Sequence, residues 1–564
     1  VGEAANEMWI GNFHSICARM LRIDGSAIGL DRNFVIYDDG DQLTLVKDIL
    51  KRQNVDEKSV QPRGVLAEIS RAKEKLVGPS DYDKHAAGYF ERIVSGVYKE
   101  YNKALRAASA LDFDDILLMA VRLLEQSDAT REKYQERFKH VLIDEYQDVN
   151  FVQYRLADIL SKQHGNITIV GDDDQSIYAW RGADVSLMMR FSTDHPSATV
   201  ITLSQNYRST QNILDAAHQV IQHNRGRNEK KLWTEQHGGA PITMTEAGTE
   251  GDEAMLVADE IQRRIRQGSR SYRDFAVLYR TNAQSRVLEE AFLTMRIPHV
   301  LVGGQRFYER KEIKDMIALL RITLNSEDAV SLQRVVNTPP RGLGAGALEK
   351  LAATAETKEK SQFEALVDPD WQGSVVKKAR EGAARFHSAI EGARQLLSDG
   401  PITPALRHLM SETGYLDALR NDRSDESQSR LENLQELINV TQDFDEREPE
   451  PTLSAFLEGV ALIADIDSYA DDGDAVTLMT LHSSKGLEFP VVFLTGLEEG
   501  IFPHSRSLMD DTGIEEERRL CYVGMTRAQE ELHLLHAQRR ATYGQPNFNP
   551  RSRFLDDLSG IETK

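Results

Sequence analysis

The feature that most limits how this chain can fold is a set of short runs of branched apolar residues, each closed by polar or acidic side chains. They are His140–Asp144 (HVLID), Asn166–Asp172 (NITIVGD), Thr199–Leu203 (TVITL), Phe275–Arg280 (FAVLYR), Val476–His482 (VTLMTLH), Val491–Gly496 (VVFLTG) and Glu531–His536 (ELHLLH). Runs this short and this apolar read as strands buried on both faces, the pattern of a parallel sheet. Long stretches of 3.6-residue periodicity separate them, over 41–136 and about 305–470. In Arg430–Val440, for example, Leu431, Leu434, Leu437 and Ile438 fall on one helical face. The expected fold is α/β, with two parallel-sheet cores that each carry a helical insertion. Gln442–Pro451 (QDFDEREPEP) and Asp471–Asp474 (DDGD) read as loops. No internal repeat of fixed period is present.

Composition narrows the class. The chain has 564 residues, of which 40% are hydrophobic and 28% charged, so it can bury several cores. Lys plus Arg number 68 against 89 Asp plus Glu, a net charge of −21. That excludes a uniformly basic surface. It leaves room for a local nucleic-acid groove, because charges beyond roughly 8–10 Å are screened. No apolar run approaches the roughly 18 residues of a membrane span. Two cysteines, Cys17 and Cys521, are too few for a multi-cysteine metal site and fit a reducing compartment. The opening VGEAANEMWI lacks the basic and apolar regions of a signal peptide. A start at Val1 is expected of a processed or partial chain.

In open α/β sheets ligands bind outside the carboxyl ends of the strands, and here those ends are heavily loaded. HVLI is followed by Asp144-Glu145. Such a pair suits a nucleotide site, one carboxylate for Mg²⁺ and one to polarise water, although a lone pair more often caps the next helix. NITIV is followed by GDDDQSIYAWRG, where Gln175 suits a γ-phosphate or water. Tyr178 and Trp180, beside Arg181, suit stacking on unpaired bases, unless Trp180 is simply a core residue. TVITL is followed by SQNYRS, with Tyr207 a candidate to stack on a purine and Arg208 either an arginine finger or a surface ion-pair partner. VTLMTL leads into HSSKGLE, where Gly486 allows close approach and Glu488 suits a ribose hydroxyl. Glu515–Ala528 (EEERRLCYVGMTRA) carries the apolar stripe Leu520, Val523, Ala528 of a helix, with Arg527 near its end.

Together, in this order, these segments resemble the UvrD/PcrA/Rep family of superfamily 1 DNA helicases. VLIDEYQDVN resembles its Walker B motif, and VGDDDQSIYAWRGAD, LSQNYRST, VTLMTLHSSKGLEFPVVFL and EEERRLCYVGMTRA its third to sixth motifs. FHS at 13–15, ALDFDD at 110–115, AVLYRTNAQSR at 276–286, GGQRFYERKEIKD at 303–315 and EEGIFPHSRSL at 498–508 are also similar.

The resemblance implies two RecA-like motor domains with an ATP site between them. The first, incomplete, would take 1–30 and 110–202, with a helical insertion at 31–109; the second would take 203–303 and 471–564, with an insertion at 304–470. It implies ATP and Mg²⁺ as cofactors and 3′-to-5′ movement on single-stranded DNA, with unwinding at single/double-strand junctions. By motif position Asp144 binds Mg²⁺, Glu145 is the catalytic base and Gln175 contacts the γ-phosphate. Arg208 and Arg527 are arginine fingers, Tyr207 stacks on adenine, and Glu488 beside Gly486 meets the ribose. Phe13, His14, Tyr178, Trp180, Arg181, Asn282, His482 and His504 line the DNA path. Repair or replication proteins are the partners implied, and the bacterial cytoplasm and nucleoid the setting.

One expected element is missing. The family's P-loop, GxxxxGK[ST], does not occur, and neither does the dipeptide Gly-Lys. Asn12 also stands where the family usually has Thr. A helicase cut short at its N-terminus, inactive alone, is therefore expected; an ATPase-dead single-strand-binding or regulatory protein is the alternative.

Overall fold

The computed structural model describes residues 8–55, 60–303, 306–398, 400–422, 424–447, 451–457, 460, 473–542 and 545–563. They fall into two compact units. The first comprises Val1–Thr202, Gly226–Lys230 and Asp422–Ser424, and the second Leu203–Arg225, Lys231–Asn421 and Asp425–Lys564.

In the first unit, strand β1 (Val35–Ile36) pairs in parallel with β2 (Ala110–Leu111), and β3 (Val141–Ile143) with β4 (Ile167–Ile169). Helices Asp39–Arg52, Pro62–Glu74, Pro79–His85 and Tyr89–Ala107 lie between β1 and β2. Their starts follow local chemistry: Asp38 and Asp41 form a capping box, and Pro62 opens its helix, where no N–H is needed. Val46, Ile49, Val65, Ile69, Val94 and Val97 make their shared core. A second core joins Cys17, Met20 and Leu21 of helix Phe13–Asp24 to Ile116, Leu117 and Val121 of helix Phe113–Gln126. Asn12, the departure from the family pattern, caps helix Phe13–Asp24 by accepting from Ser15 N–H at 2.9 Å.

The second unit is built on one sheet with the order β12-β5-β10-β9-β6-β8-β7. Its strands are β5 (Thr243–Thr249), β6 (Phe275–Tyr279), β7 (His299–Val302), β8 (Val476–Thr480), β9 (Phe489–Leu494), β10 (Ala528–Thr542) and β12 (Glu562–Thr563). Every pairing along that order is parallel; β11 (Gln545–Asn547) adds antiparallel to β10. Phe275, Val277, Leu478, Val491 and Phe493 are fully or almost fully buried, as expected of strands covered on both faces. Helices of the 306–447 region, among them Lys311–Leu324, Lys377–Ser398, Ile402–Glu412 and Asp425–Arg447, close over Trp371, Phe386, Leu406 and Leu437.

Three readings of the sequence need correction. Thr199–Leu203 forms no strand: Val200, Ile201 and Leu203 are more than 70% exposed, and the nearby pairing is a single bridge, Gln205 to Trp233. A β-branched run needs a ladder partner, and this one finds none among the described residues. Residues 442–447 are not loop but the last turns of helix Asp425–Arg447, where Asp445 accepts from the N–H groups of Ile402 and Thr403 at 2.8 and 2.9 Å. Residues 448–450 and 471–472 lie outside the described residues. The helix expected over 515–528 runs Asp511–Met525, and Ala528 already begins β10.

ALDFDD owes its form to a buried cation. Lys73 is fully buried, 2.5 Å from Asp112 and 2.8 Å from Asp115, and the Tyr101 hydroxyl donates to Asp112 at 2.9 Å. Burial works against the Lys73 ammonium, but the two carboxylates outweigh it and raise its pKa. Lys73→Met strands both carboxylates in the core, an expected loss of about 3–5 kcal/mol. Urea unfolding checks this; a loss below about 1 kcal/mol would show that the carboxylates do not depend on Lys73.

Candidate nucleotide and DNA sites

In the first unit the carboxyl ends of β3 and β4 are tied together by Gln147. Asp144 and Glu145 are exposed directly after β3, with Glu145 at φ 52°. Glu145 N–H donates to Asp144 Oδ1 at 2.9 Å. The fully buried Gln147 donates through Nε2 to Glu145 Oε2 at 2.5 Å and accepts at Oε1 from Asp172 N–H at 3.0 Å. Gln175 Nε2 donates to Asp172 Oδ2 at 2.8 Å. Gly171 makes this approach possible, since a Cβ there would sit 2.6 Å from Gln147 Oε1. Asp144, Glu145 and Gln175 are thus brought together through two residues that the sequence reading did not single out.

The Asp172–Asp174 turn has partners that sequence spacing hides. Arg227 grips Asp174 with two hydrogen bonds of 2.8 and 2.6 Å, and Asn228 N–H donates to Asp173 at 2.8 Å. Lys230 contacts Asp172, Asp173 at 2.6 Å and Asp174 at 3.1 Å. Burial opposes the charge on Lys230, but the three aspartates prevail and raise its pKa. Burial likewise disfavours the Asp173 carboxylate, yet Lys230 and Asn228 hold its pKa below the usual value.

After this turn the chain presents its aromatics. Trp180 is 53% exposed, which removes the core-residue alternative. Its ring centroid lies 6.4 Å from that of Tyr178, and the Arg181 guanidinium sits 4.6 Å over Trp180 and 5.8 Å from Tyr178. Phe13 and His14 are half-buried; His14 meets the exposed Phe113 edge-on at 5.9 Å, and burial lowers its pKa.

In the second unit Arg208, Glu488 and Arg527 converge. Arg208 Nε donates to Glu488 Oε2 at 2.5 Å and NH1 to the Thr526 carbonyl at 3.4 Å. The SQNYRS loop is zipped onto the start of β10: Ser209 Oγ donates to the Ala528 carbonyl at 2.6 Å and Thr210 N–H to that of Gln529 at 3.1 Å. Tyr207 is 78% exposed, and Gly486, at φ 83°, has open space around it. Arg527 points inward. It is 2% exposed and donates to the carbonyls of Val523 at 2.9 Å and Leu487 at 3.2 Å.

Parallel topology sorts these groups into two sets. Glu488 and Arg527 stand immediately before β9 and β10, so the nucleotide candidates occupy the amino edge of the sheet, contrary to the expectation that ligands gather at carboxyl ends. Asn282, His482 and His504 follow β6, β8 and β9 and occupy the carboxyl edge. The six residues of β9 set the edges roughly 20 Å apart.

Comparison with known proteins places the chain. The profile of the UvrD-like helicase C-terminal domain matches residues 201–539, and that of the UvrD/REP helicase N-terminal domain matches 1–196. The chain belongs to the UvrD-like helicase family. ATP-dependent DNA helicase PcrA of Bacillus subtilis is 46% identical over 564 residues, 99% of this chain and 76% of that protein. PcrA of Staphylococcus epidermidis is 45% and of Staphylococcus aureus 44% identical over 562 residues, each covering 99% of this chain and 77% of the relative. The two parallel-sheet units are thus UvrD-type helicase domains, in keeping with the RecA-like α/β architecture. The N-terminal match runs from residue 1, so the expectation of a shortened chain gains no support from it.

The half-exposed Glu488 carboxyl is held below the usual carboxylate range, first by its hydrogen bond from Arg208. A lowered folded-state pKa means that the pair contributes above the ordinary value of about 4.3 and is lost as pH falls through the lower one. In a carbon-detected NMR titration Glu488 is expected to protonate below about 4.3, and Arg208→Ala to move its midpoint upward. A midpoint indifferent to Arg208→Ala would contradict the pairing.

Proposed function

We propose that this chain is the motor of an ATP-dependent DNA helicase that moves 3′ to 5′ along single-stranded DNA and opens the duplex at single/double-strand junctions, in repair or replication in a bacterial cytoplasm. The observation that carries the reading is the convergence of Arg208, Glu488 and Arg527 at one sheet edge of a UvrD-like helicase chain. PcrA relatives that cover nearly all of it carry the name ATP-dependent DNA helicase. Among the described residues no helix is long and apolar enough to cross a membrane.

In this reading Arg208 and Arg527 neutralise charge on the transferring phosphoryl group, worth about 10³–10⁵ in rate, or roughly 4–7 kcal/mol. Arg527 first leaves its carbonyl partners, exchanging hydrogen bonds to neutral acceptors for bonds to an anionic phosphate, where both partners are charged. Glu488 and Gly486 take the ribose side, Tyr207 offers its exposed ring to adenine, Glu145 orients water and Gln175 contacts the γ-phosphate. Asp144 suits Mg²⁺: its exposed carboxylate is a hard oxygen donor. When bound, the ion would offset charge on the phosphates. Phe13, His14, Tyr178, Trp180, Arg181, Asn282, His482 and His504 contact the strand.

The absence of GxxxxGK[ST] from residues 1–564 favours a second reading of this stretch by itself, as a single-strand binder that hydrolyses ATP poorly. Purified 564-residue chain is expected to bind single-stranded DNA with little DNA-stimulated ATPase; robust stimulated turnover would overturn that part. Trp180→Ala is expected to weaken oligonucleotide binding by about 1–3 kcal/mol, some 5- to 150-fold, in a filter-binding titration. Unchanged affinity would return Trp180 to a surface side chain without a role.

A further inference from the structure

Glu517, on helix Asp511–Met525, is 4% exposed and gathers donors from two separate turns. Arg280, just past the end of β6, donates to it from Nε at 3.0 Å and NH2 at 2.6 Å. The main-chain N–H of His504 donates at 3.0 Å and the Ser507 hydroxyl at 3.5 Å.

Each turn is otherwise well defined. Gln284 Oε1 accepts from the N–H groups of Arg280 and Thr281 at 3.0 and 2.9 Å, which closes the turn that carries Asn282. Gly496, at φ 72°, packs against the Gln284 side chain where a Cβ would collide. The His504 side chain faces Glu432 at 3.5 Å, and its Nδ1 accepts from Arg506 N–H at 3.3 Å. One buried carboxylate is therefore the common reference for Asn282 and His504, two half-buried residues at the carboxyl edge of the sheet.

We propose that Glu517 is a positioning residue for single-stranded DNA, fixing the turns of Asn282 and His504 in the register that the strand requires. The proposal rests on the reading of those two residues as DNA contacts.

A double-mutant cycle tests it, with the full chain and a fluorescently labelled oligothymidylate read by anisotropy. Glu517→Gln keeps the side-chain volume but removes the charge that holds Arg280. It is expected to raise Kd about tenfold. His504→Ala is expected to do likewise, and the double variant to be at most about threefold weaker than the weaker single one, because both act through one turn. Multiplying losses, near 100-fold, would overturn the proposal by showing that Glu517 acts elsewhere. Parent-like affinity in Glu517→Gln alone, with His504→Ala and Asn282→Ala weakened, would overturn the role of Glu517 and leave the DNA reading intact. Parent-like affinity in all three would overturn both. If Glu517→Gln gives no cooperative melt, Glu517→Asp replaces it with the same expectations, since its carboxylate keeps the charge but falls one methylene short of His504 N–H.

Discussion

The second unit depends above all on one constraint: along the order β12-β5-β10-β9-β6-β8-β7 its strands are all parallel. A parallel sheet collects every strand start on one edge and every strand end on the other, and each return must cross over its face. The two edges are therefore chemically distinct. Arg208, Glu488 and Arg527 meet where β9 and β10 begin, and Asn282, His482 and His504 stand where β6, β8 and β9 have ended. Helix Asp511–Met525 returns from one edge to the other. Glu517, midway along it, touches the His504 loop, and Arg527, two residues past its end, lies at the opposite edge; the eight residues from Glu517 to Met525 rise about 12 Å.

Buried ion clusters hold the loops that the sheet itself leaves free. Arg540 is the clearest case, with 2.6 Å to Glu253 and 2.7 Å to Glu498, all three almost fully buried. Glu498 also accepts from Ala537 N–H, and Glu253 from Gly496 N–H, so one cluster fixes helix Glu250–Arg266, the loop after β9 and the far part of β10. Lys73 with Asp112 and Asp115, and Lys230 with Asp172–Asp174, work in the same way in the first unit. Desolvating such charges is expensive and a hydrophobic replacement can be as stable. What the clusters supply is geometry: each fixes a loop to within a hydrogen bond.

Much of this was legible before any coordinates. The apolar runs at 275–279, 476–480 and 491–494 are strands because their branched side chains suit burial on both faces. Those at 141–143 and 167–169 are also strands, but Leu142 and Thr168 are exposed, so the expected burial on both faces does not hold for that pair. β5, with the sequence TMTEAGT, escaped notice because its polar residues mask the pattern, although it lies between β10 and β12. Thr199–Leu203 misled in the opposite sense, since apolar branching signals strand propensity and says nothing about a partner. The candidate site divides likewise. Its motif residues were readable, whereas Gln147, Lys230 and Glu517 were not, because their roles come from contacts across 25, 58 and 237 positions of sequence.

By itself the sequence determined the α/β class, the six strands β3, β4, β6, β8, β9 and β10 and the UvrD-like motifs, because periodicity and short signatures are local properties of the chain. Tertiary structure alone decided that Trp180 is exposed, that Arg527 turns inward to carbonyls, and that the nucleotide candidates of the second unit lie at strand starts. The reason is physical. Burial, ion pairing and the edge on which a side chain emerges depend on neighbours brought together by packing, and local propensity carries no record of those distant partners.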